Sequence, residues 1–287
     1  MDNKSSAGPY NPSIAVFVAA LIAYALIAAQ AAYYYPFISD DALISLQYAK
    51  RLLAGHGLTW TDGKPVEGYS NLLWILMAAF LGLLKIELVL SARILGFVFT
   101  AAAVLFFAMY ALKQPGKSSL PAVAGFSALG LSSTLAIWAI GGLEQPLLAA
   151  VIGAFLFFSA EENKKEQKVI NAPGFLLGLL CLTRPDSLIF VFSFAVSLFI
   201  FANPGERINR ALNLVVLPLI FTLAQLMFRL AYYGEWLPNT AYIKLGFTEA
   251  HFDAGIKYLA AGISAMLPLF AAVIAGIFVL IRAGQKG

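Results

Sequence analysis

Residues 13–35 read SIAVFVAALIAYALIAAQAAYYY, an uncharged run whose reading decides the fold class. A helix crossing a bilayer needs about 20 consecutive apolar residues, because roughly 30 Å of hydrocarbon is spanned at 1.5 Å per residue. This run is long enough. Within it, Ala29-Gln30-Ala31 resembles a signal-peptidase site. The run exceeds a typical signal core, however, and its leader sets Lys4 against Asp2, so it reads as an uncleaved first span.

The whole chain has the same character. Of 287 residues, 61% are hydrophobic and only 12% charged, and the mean hydropathy is +0.82. An ordinary soluble domain carries about 25% charged residues. Further apolar runs fall at 71–84, 94–112, 120–140, 147–160, 174–182, 188–201, 211–233 and 258–281, those near 71 and 174 being short for a crossing. The expectation is an all-α fold, a single polytopic transmembrane bundle over 1–287 with about 8–9 hydrophobic segments. Two His and the one Cys, Cys181, exclude a Cys/His metal cluster and an internal disulfide within the chain. Cys181 reads as packing, and His56 and His251 as exposed loop residues. The net charge of +4 suits cytoplasmic loops better than nucleic acid, since no basic stripe with interleaved aromatics appears.

Charge placement orients the spans. Lys113 with Lys117, then Lys164, Lys165 and Lys168, then Arg207 with Arg210, and finally Arg282 with Lys286 form four cationic connections. The positive-inside rule puts all four in the cytoplasm. Segments 36–70, 141–146, 183–186 and about 233–257 then face outward, with 36–70 and 233–257 as the first and second external loops. Alternation works throughout only if the run at 71–84 dips into the membrane without a net crossing.

The polar segments carry the chemistry. Asp40-Asp41-Ala42 opens a helix capped by Ser39 or Asp40, with apolar Leu43, Leu46, Ala49 and Leu53 opposite Gln47, Lys50 and Arg51. Gly55 supplies its stop. This describes an amphipathic helix at the membrane interface. Asp40 and Asp41 read either as a capping pair or as carboxylates at the mouth of a cavity, where one acts as general base. Glu144 reads as an interfacial cap or as a cavity acid. Arg184 and Asp186 read as an ion pair, a helix-end cap or cavity groups. Arg229, inside an apolar run, is expected to snorkel outward near Tyr232 and Tyr233. The aromatic stretch 232–244 reads as an interfacial belt, or as a phosphate and sugar site using Asn239 and Lys244.

The ordered string Asp40-Asp41-Ala42, Leu53-Ala54-Gly55-His56-Gly57-Leu58 and Pro65-Val66-Glu67-Gly68-Tyr69-Ser70-Asn71 resembles bacterial GT-C glycosyltransferases, in the branch that includes the mycobacterial arabinofuranosyltransferases. Gly142-Leu143-Glu144-Gln145-Pro146, Leu182-Thr183-Arg184-Pro185-Asp186 and Tyr232-Tyr233-Gly234 with Leu237-Pro238-Asn239-Thr240 are similar to that branch's later motifs, in the same order. Gln145 departs by standing where a small residue such as Thr is expected. The resemblance implies a multi-pass enzyme of the bacterial inner membrane with an external active face. It would move a hexosyl or pentosyl unit, with inversion, from a polyprenyl-phosphate donor to a cell-envelope acceptor hydroxyl. Asp40 would be the base, with Asp41 its partner. Both would serve as ligands if a divalent cation (Mg or Mn) takes part. Glu67, Tyr69, Asn71, Glu144, Arg184, Asp186, Asn239 and Lys244 would bind substrate, Lys244 and Arg184 at the donor phosphate. Many members are longer, which implies a compact member, a truncated copy or a piece of a longer product. A secondary transporter or lipid flippase is the competing reading, for intramembrane charges suit it too. A catalytically inactive membrane subunit of the same fold is the third.

Overall fold

The computed structural model describes residues 12–114, 119–162, 171–244, 252–264 and 274. Among these, every regular element is helical. In chain order they are α1 (Pro12–Tyr33), α2 (Asp40–Leu53), α3 (Leu72–Leu83), α4 (Leu88–Lys113), α5 (Leu120–Gly130), α6 (Ser133–Ile140), α7 (Gln145–Glu162), α8 (Ala172–Thr183), α9 (Leu188–Phe201), α10 (Arg207–Tyr233) and α11 (Asn239–Lys244). A 3-10 turn at Pro185–Ser187 joins α8 to α9. The chain divides into two compact units, Met1–Asn239 and Thr240–Gly287. The second contains most of α11 and a helical stretch at 252–264.

Three described helices, α1, α4 and α10, are long and apolar enough to cross a membrane; α5 and α6, bent by 60° at their break, make a fourth if they count as one span. At 12 residues each, α3 and α8 reach only about 18 Å. Large apolar side chains stay exposed along these helices, including Ile189, Phe192, Phe199, Ile200 and Phe201 of α9. A surface of that kind is expected to meet lipid rather than water.

Contacts between helices show which ends lie together. α1 runs against α4, with Val16 packed near Val104 and Ala108, and the Tyr24 hydroxyl donating to the Phe97 carbonyl at 3.4 Å. α4 and α7 run the same way. Phe106 of α4 meets Phe157 of α7 at 6.1 Å, and Lys113 lies 3.8 Å from the Phe157 ring centroid. α8 returns beside α7, bringing Arg184 to Glu144. α10 follows α8, from Asn171 against Asn213 to Phe175 against Phe221. One end of the first unit therefore gathers Lys113, the C-terminus of α7 and the Arg207–Arg210 turn. The other end gathers residues 35–41, 67–71, 141–144, 184–186 and 229–236.

α2 and α3 lie at this second end and run side by side in the same direction. Ser45 meets Asn71 at their starts, and Leu53 lies against Gly82 near their finishes. The end of α3 is thus beside the end of α2. α4 then starts next to both, with Leu88 also against Gly82. Gly55 follows α2 at φ +82°, as its stop requires. The buried face of α2 is Ala42, Ser45, Leu46, Tyr48 and Ala49, which corrects the apolar stripe expected from Leu43: Leu43 is exposed. The burial centre is shifted because Asn71 and the 141–144 loop take the polar Ser45 inward.

Glycine sets the α8–α10 approach. Gly174 and Gly178 form a small-xxx-small pair, and a Cβ on them would meet the Asn213 carbonyl at 2.8 Å and the Phe221 ring at 2.3 Å. Gly178→Val is expected to cost about 1–3 kcal/mol through overpacking. The check is a fall in the apparent Tm of the detergent-solubilised chain. An unchanged Tm would show that α10 accommodates the added methyls.

Candidate functional site

The site begins in the extended segment Val66–Asn71. Successive side chains of extended backbone point to opposite faces. Glu67, Tyr69 and Asn71 are accordingly buried, while Val66, Gly68 and Ser70 are not. The segment is clamped to α2 by Tyr48, whose hydroxyl donates to the Val66 carbonyl and accepts from the Gly68 N–H, both at 2.8 Å. The three inward residues each meet a partner far away in the chain.

Glu67 meets Arg229. The guanidinium binds both carboxylate oxygens, Nη2 to Oε1 at 3.2 Å and Nε to Oε2, and both side chains are buried. This overturns the expectation that Arg229 snorkels outward. The physical reason is that a carboxylate was available inside, which an isolated cation on an apolar helix lacks. Tyr69 shares a 3.1 Å hydrogen bond with Tyr233, whose hydroxyl in turn donates to the Leu58 carbonyl at 2.7 Å. Burial pushes the Tyr69 phenol well above its ordinary range, so it stays neutral.

Asn71 reaches the second network. Its side-chain amide donates to Glu144 Oε2 at 2.7 Å and to the Ser45 hydroxyl at 3.0 Å. The other Glu144 oxygen accepts from Arg184 Nη1 at 2.8 Å, and Arg184 Nε and Nη2 bind Asp186 at 2.9 and 3.0 Å. Glu144 is 2% exposed, whereas the Asp186 side chain is 67% exposed. The hydrogen bond that Arg184 donates to Asp186 raises its pKa, burial opposes this, and the hydrogen bond donated to Glu144 adds to the rise. Arg184 therefore bridges a buried carboxylate to an exposed one. With two carboxylates on one guanidinium, the cluster carries a formal net charge of −1.

The loop before α7 holds Glu144 in place. Gly142 sits at φ +88°, and a Cβ there would approach Ala42 Cβ at 2.8 Å and Ile38 at 2.7 Å. Only glycine allows both the left-handed turn and the close approach to α2. The indole N–H of the fully buried Trp74 donates to the Gly142 carbonyl at 2.9 Å, and the Ser39 N–H donates to the Gly141 carbonyl at 3.0 Å. Arg93, which the sequence reading passed over, donates to the Tyr35 carbonyl at 2.8 Å and lies 4.0 Å from that ring's centroid. It steadies the turn into α2.

Asp40 and Asp41 are both exposed in the first turn of α2. Asp40 Oδ1 accepts the Asp41 N–H at 2.9 Å, which orients that carboxylate and leaves its other oxygen outward. At about 100° per residue, the two acids straddle the stripe that continues through Ile44 and Tyr48. That stripe lines a cavity of about 280 Å³ together with Trp60, Thr61, Lys64, Val66, Gly68 and Asn239. Among the described residues, no group of three His, Cys, Asp or Glu is placed to hold a metal ion. Asp40 and Asp41 alone would leave water and a substrate phosphate to complete the shell of a hard cation.

Of the residues singled out from the sequence, the structure joins Asn71, Glu144, Arg184 and Asp186 in one network. Glu67 and Tyr69 belong to the other, with their polar atoms turned to protein partners. Asn239 is exposed at the cavity, its backbone N–H donating to the Glu67 carbonyl at 2.9 Å. The side chain of Lys244 and all of His251 lie outside the described residues; Cys181 is buried in α8 and unpaired as a disulfide.

Comparison with known proteins gives two relatives. The chain is 29% identical over 281 residues to a terminal beta-(1->2)-arabinofuranosyltransferase of Corynebacterium glutamicum, an alignment covering 90% of this chain and 40% of that protein. It is 24% identical over 220 residues to a terminal beta-(1->2)-arabinofuranosyltransferase of Mycobacterium tuberculosis, covering 72% of this chain and 35% of that protein. The chain thus spans two fifths or less of the length of these relatives. No protein-family profile matches it, and no solved structure does. The likeness is to the arabinofuranosyltransferase branch that the loop motifs resemble.

Proposed function

We propose, from the likeness to arabinofuranosyltransferases, that this chain forms the catalytic membrane region of a lipid-linked pentosyltransferase. The observation that supports the reading is the gathering of Asp40, Asp41, Glu67, Glu144 and Asp186 at one end of the first unit. There Asp40 and Asp41 are exposed one helical turn before the cavity-lining Ile44, near the buried Glu144 and its half-buried partner Arg184. The cationic end is proposed to face the cytoplasm and the acidic end the exterior of a bacterial inner membrane. On this reading α1, α4, α5–α6 and α10 span the bilayer, the shorter α7, α8 and α9 pack within it, and α2 and α3 rest together at the external interface.

The chemistry follows from the positions. An acceptor hydroxyl loses its proton to the outward oxygen of Asp40 while its oxygen forms a bond to the anomeric carbon. The bond from that carbon to the donor phosphate oxygen breaks with its electron pair, and the polyprenyl phosphate departs. A single displacement of this kind inverts the anomeric centre. The guanidinium of Arg184 uses three N–H groups on Glu144 and Asp186, leaving two of its five for a phosphate. The exposed Asp186 is the partner a donor phosphate would displace, with Glu144 holding the arginine in place.

The test is reconstitution of the full chain in vesicles with a labelled polyprenyl-phosphate pentose and an arabinofuranose oligosaccharide acceptor. Label is expected in the oligosaccharide and in no other product. Solute flux across the vesicles without sugar transfer would overturn the reading in favour of a transporter.

A further inference from the structure

The cavity beside α2 has a composition that goes beyond the transferase reading, on which its assignment rests. Its volume of about 280 Å³ lies at the small end of ligand pockets. One wall is aromatic: Trp60 and Tyr48 have ring centroids 5.9 Å apart at an interplanar angle of 43°. The Tyr48 hydroxyl is consumed by the Val66–Gly68 backbone and its ring is buried, so it backs Trp60 rather than meeting a ligand itself. Thr61 and Asn239 bring a hydroxyl and an amide. Lys64 is the only ionised side chain of the lining, and its ammonium lies 3.6 Å from the Glu235 carboxylate. The cavity is therefore nearly neutral.

Trp60 is also held in place. Arg51 donates to Thr59 at 2.8 Å and pairs with Asp62 at 2.6 Å, so both flanks of the Trp60–Thr61 dipeptide are tied to α2. The Arg51 hydrogen bond and charge hold the Asp62 carboxyl below its usual range. A depressed carboxyl keeps its tether above that range and releases it only as the pH falls through the lowered value. A tryptophan 43% exposed on a pinned loop is a platform rather than loose surface.

We propose that this cavity is the subsite for one neutral sugar ring of the acceptor glycan. The ring stacks on Trp60, which Tyr48 backs, and its hydroxyls meet Thr61 and Asn239. The cavity lining begins on α2 at Ile44, one helical turn after Asp40 and Asp41, and the ring's reacting hydroxyl is proposed to extend toward those carboxylates. Aromatic faces match the C–H faces of a sugar, and the one cation of this lining, Lys64, is already paired with Glu235.

Two measurements on the full chain in lipid nanodiscs test it. The first requires no turnover: saturation-transfer NMR with an octyl arabinofuranose disaccharide as the probe. The wild type and Trp60→Phe are expected to bind, Trp60→Ala to lose the signal, and pyrophosphate not to compete. The second is kinetic. Trp60→Ala and Asn239→Ala are each expected to raise the acceptor KM about tenfold and to leave the donor KM unchanged. An unchanged acceptor KM, a raised donor KM or competition by pyrophosphate would each overturn the assignment. A wild type that binds the disaccharide but transfers no sugar sinks the transferase reading and leaves the subsite standing. Transfer with a normal acceptor KM in both alanine variants sinks the subsite alone.

Discussion

Glu67→Ala is expected to destabilise the chain by about 3–5 kcal/mol, as is Arg229→Ala, because each strands a buried charge. Both carboxylate oxygens of Glu67 are bound by the one guanidinium, and both side chains are buried. In apparent Tm this is a fall on the order of 10 °C. The double variant Glu67→Met/Arg229→Met removes both charges and keeps most of the volume. Its Tm is expected to return close to the wild-type value, since a buried pair often does no better than a well-packed apolar substitute. Thermal unfolding of the four proteins in one detergent decides the matter. Additive losses in the double variant would show that the two residues are not coupled.

The second large effect is on turnover. Asp40→Asn retains the side-chain acceptor for the Asp41 N–H, so the start of α2 survives. It removes only the basic oxygen. A loss of about 10²–10⁴-fold in kcat is expected, the usual contribution of a positioned general base. Asp41→Asn is expected to lose less, because its carboxylate is the flanking group. Transfer rates with saturating donor and acceptor measure both. Wild-type rates in both variants would remove Asp40 and Asp41 from the chemistry. A larger loss at Asp41 would exchange their roles.

How far these features were legible in the sequence depended on the distance over which each is set. The apolar runs and the Gly55 stop are local and were readable, as was the separation of cationic from acidic segments. Glu144, Arg184 and Asp186 stood out singly because charges interrupting apolar stretches are costly. Their union was not readable, since Glu144 and Arg184 meet only when α7 and α8 fold back on each other. Arg229 was misjudged for the same reason: its partner lies 162 positions away. The readable signal was that an arginine inside an apolar helix wants a carboxylate, with Glu67 already singled out. Gly174 and Gly178 were a missed local signal, four apart in an apolar run. Leu43 was misplaced because periodicity cannot tell which of two adjacent faces a distant polar loop will claim.

The alternation along Val66–Asn71 has a consequence for how this protein can vary. Substitution at Val66, Gly68 or Ser70 alters an outward position and leaves the inward three where they are. A single inserted or deleted residue would instead rotate everything beyond it by half a turn. Asn71 would then leave Glu144, or Glu67 would leave Arg229, whichever side of the change stayed anchored. Across natural variants of this protein, the segment between Glu67 and Asn71 should therefore be constant in length even where its outward residues differ.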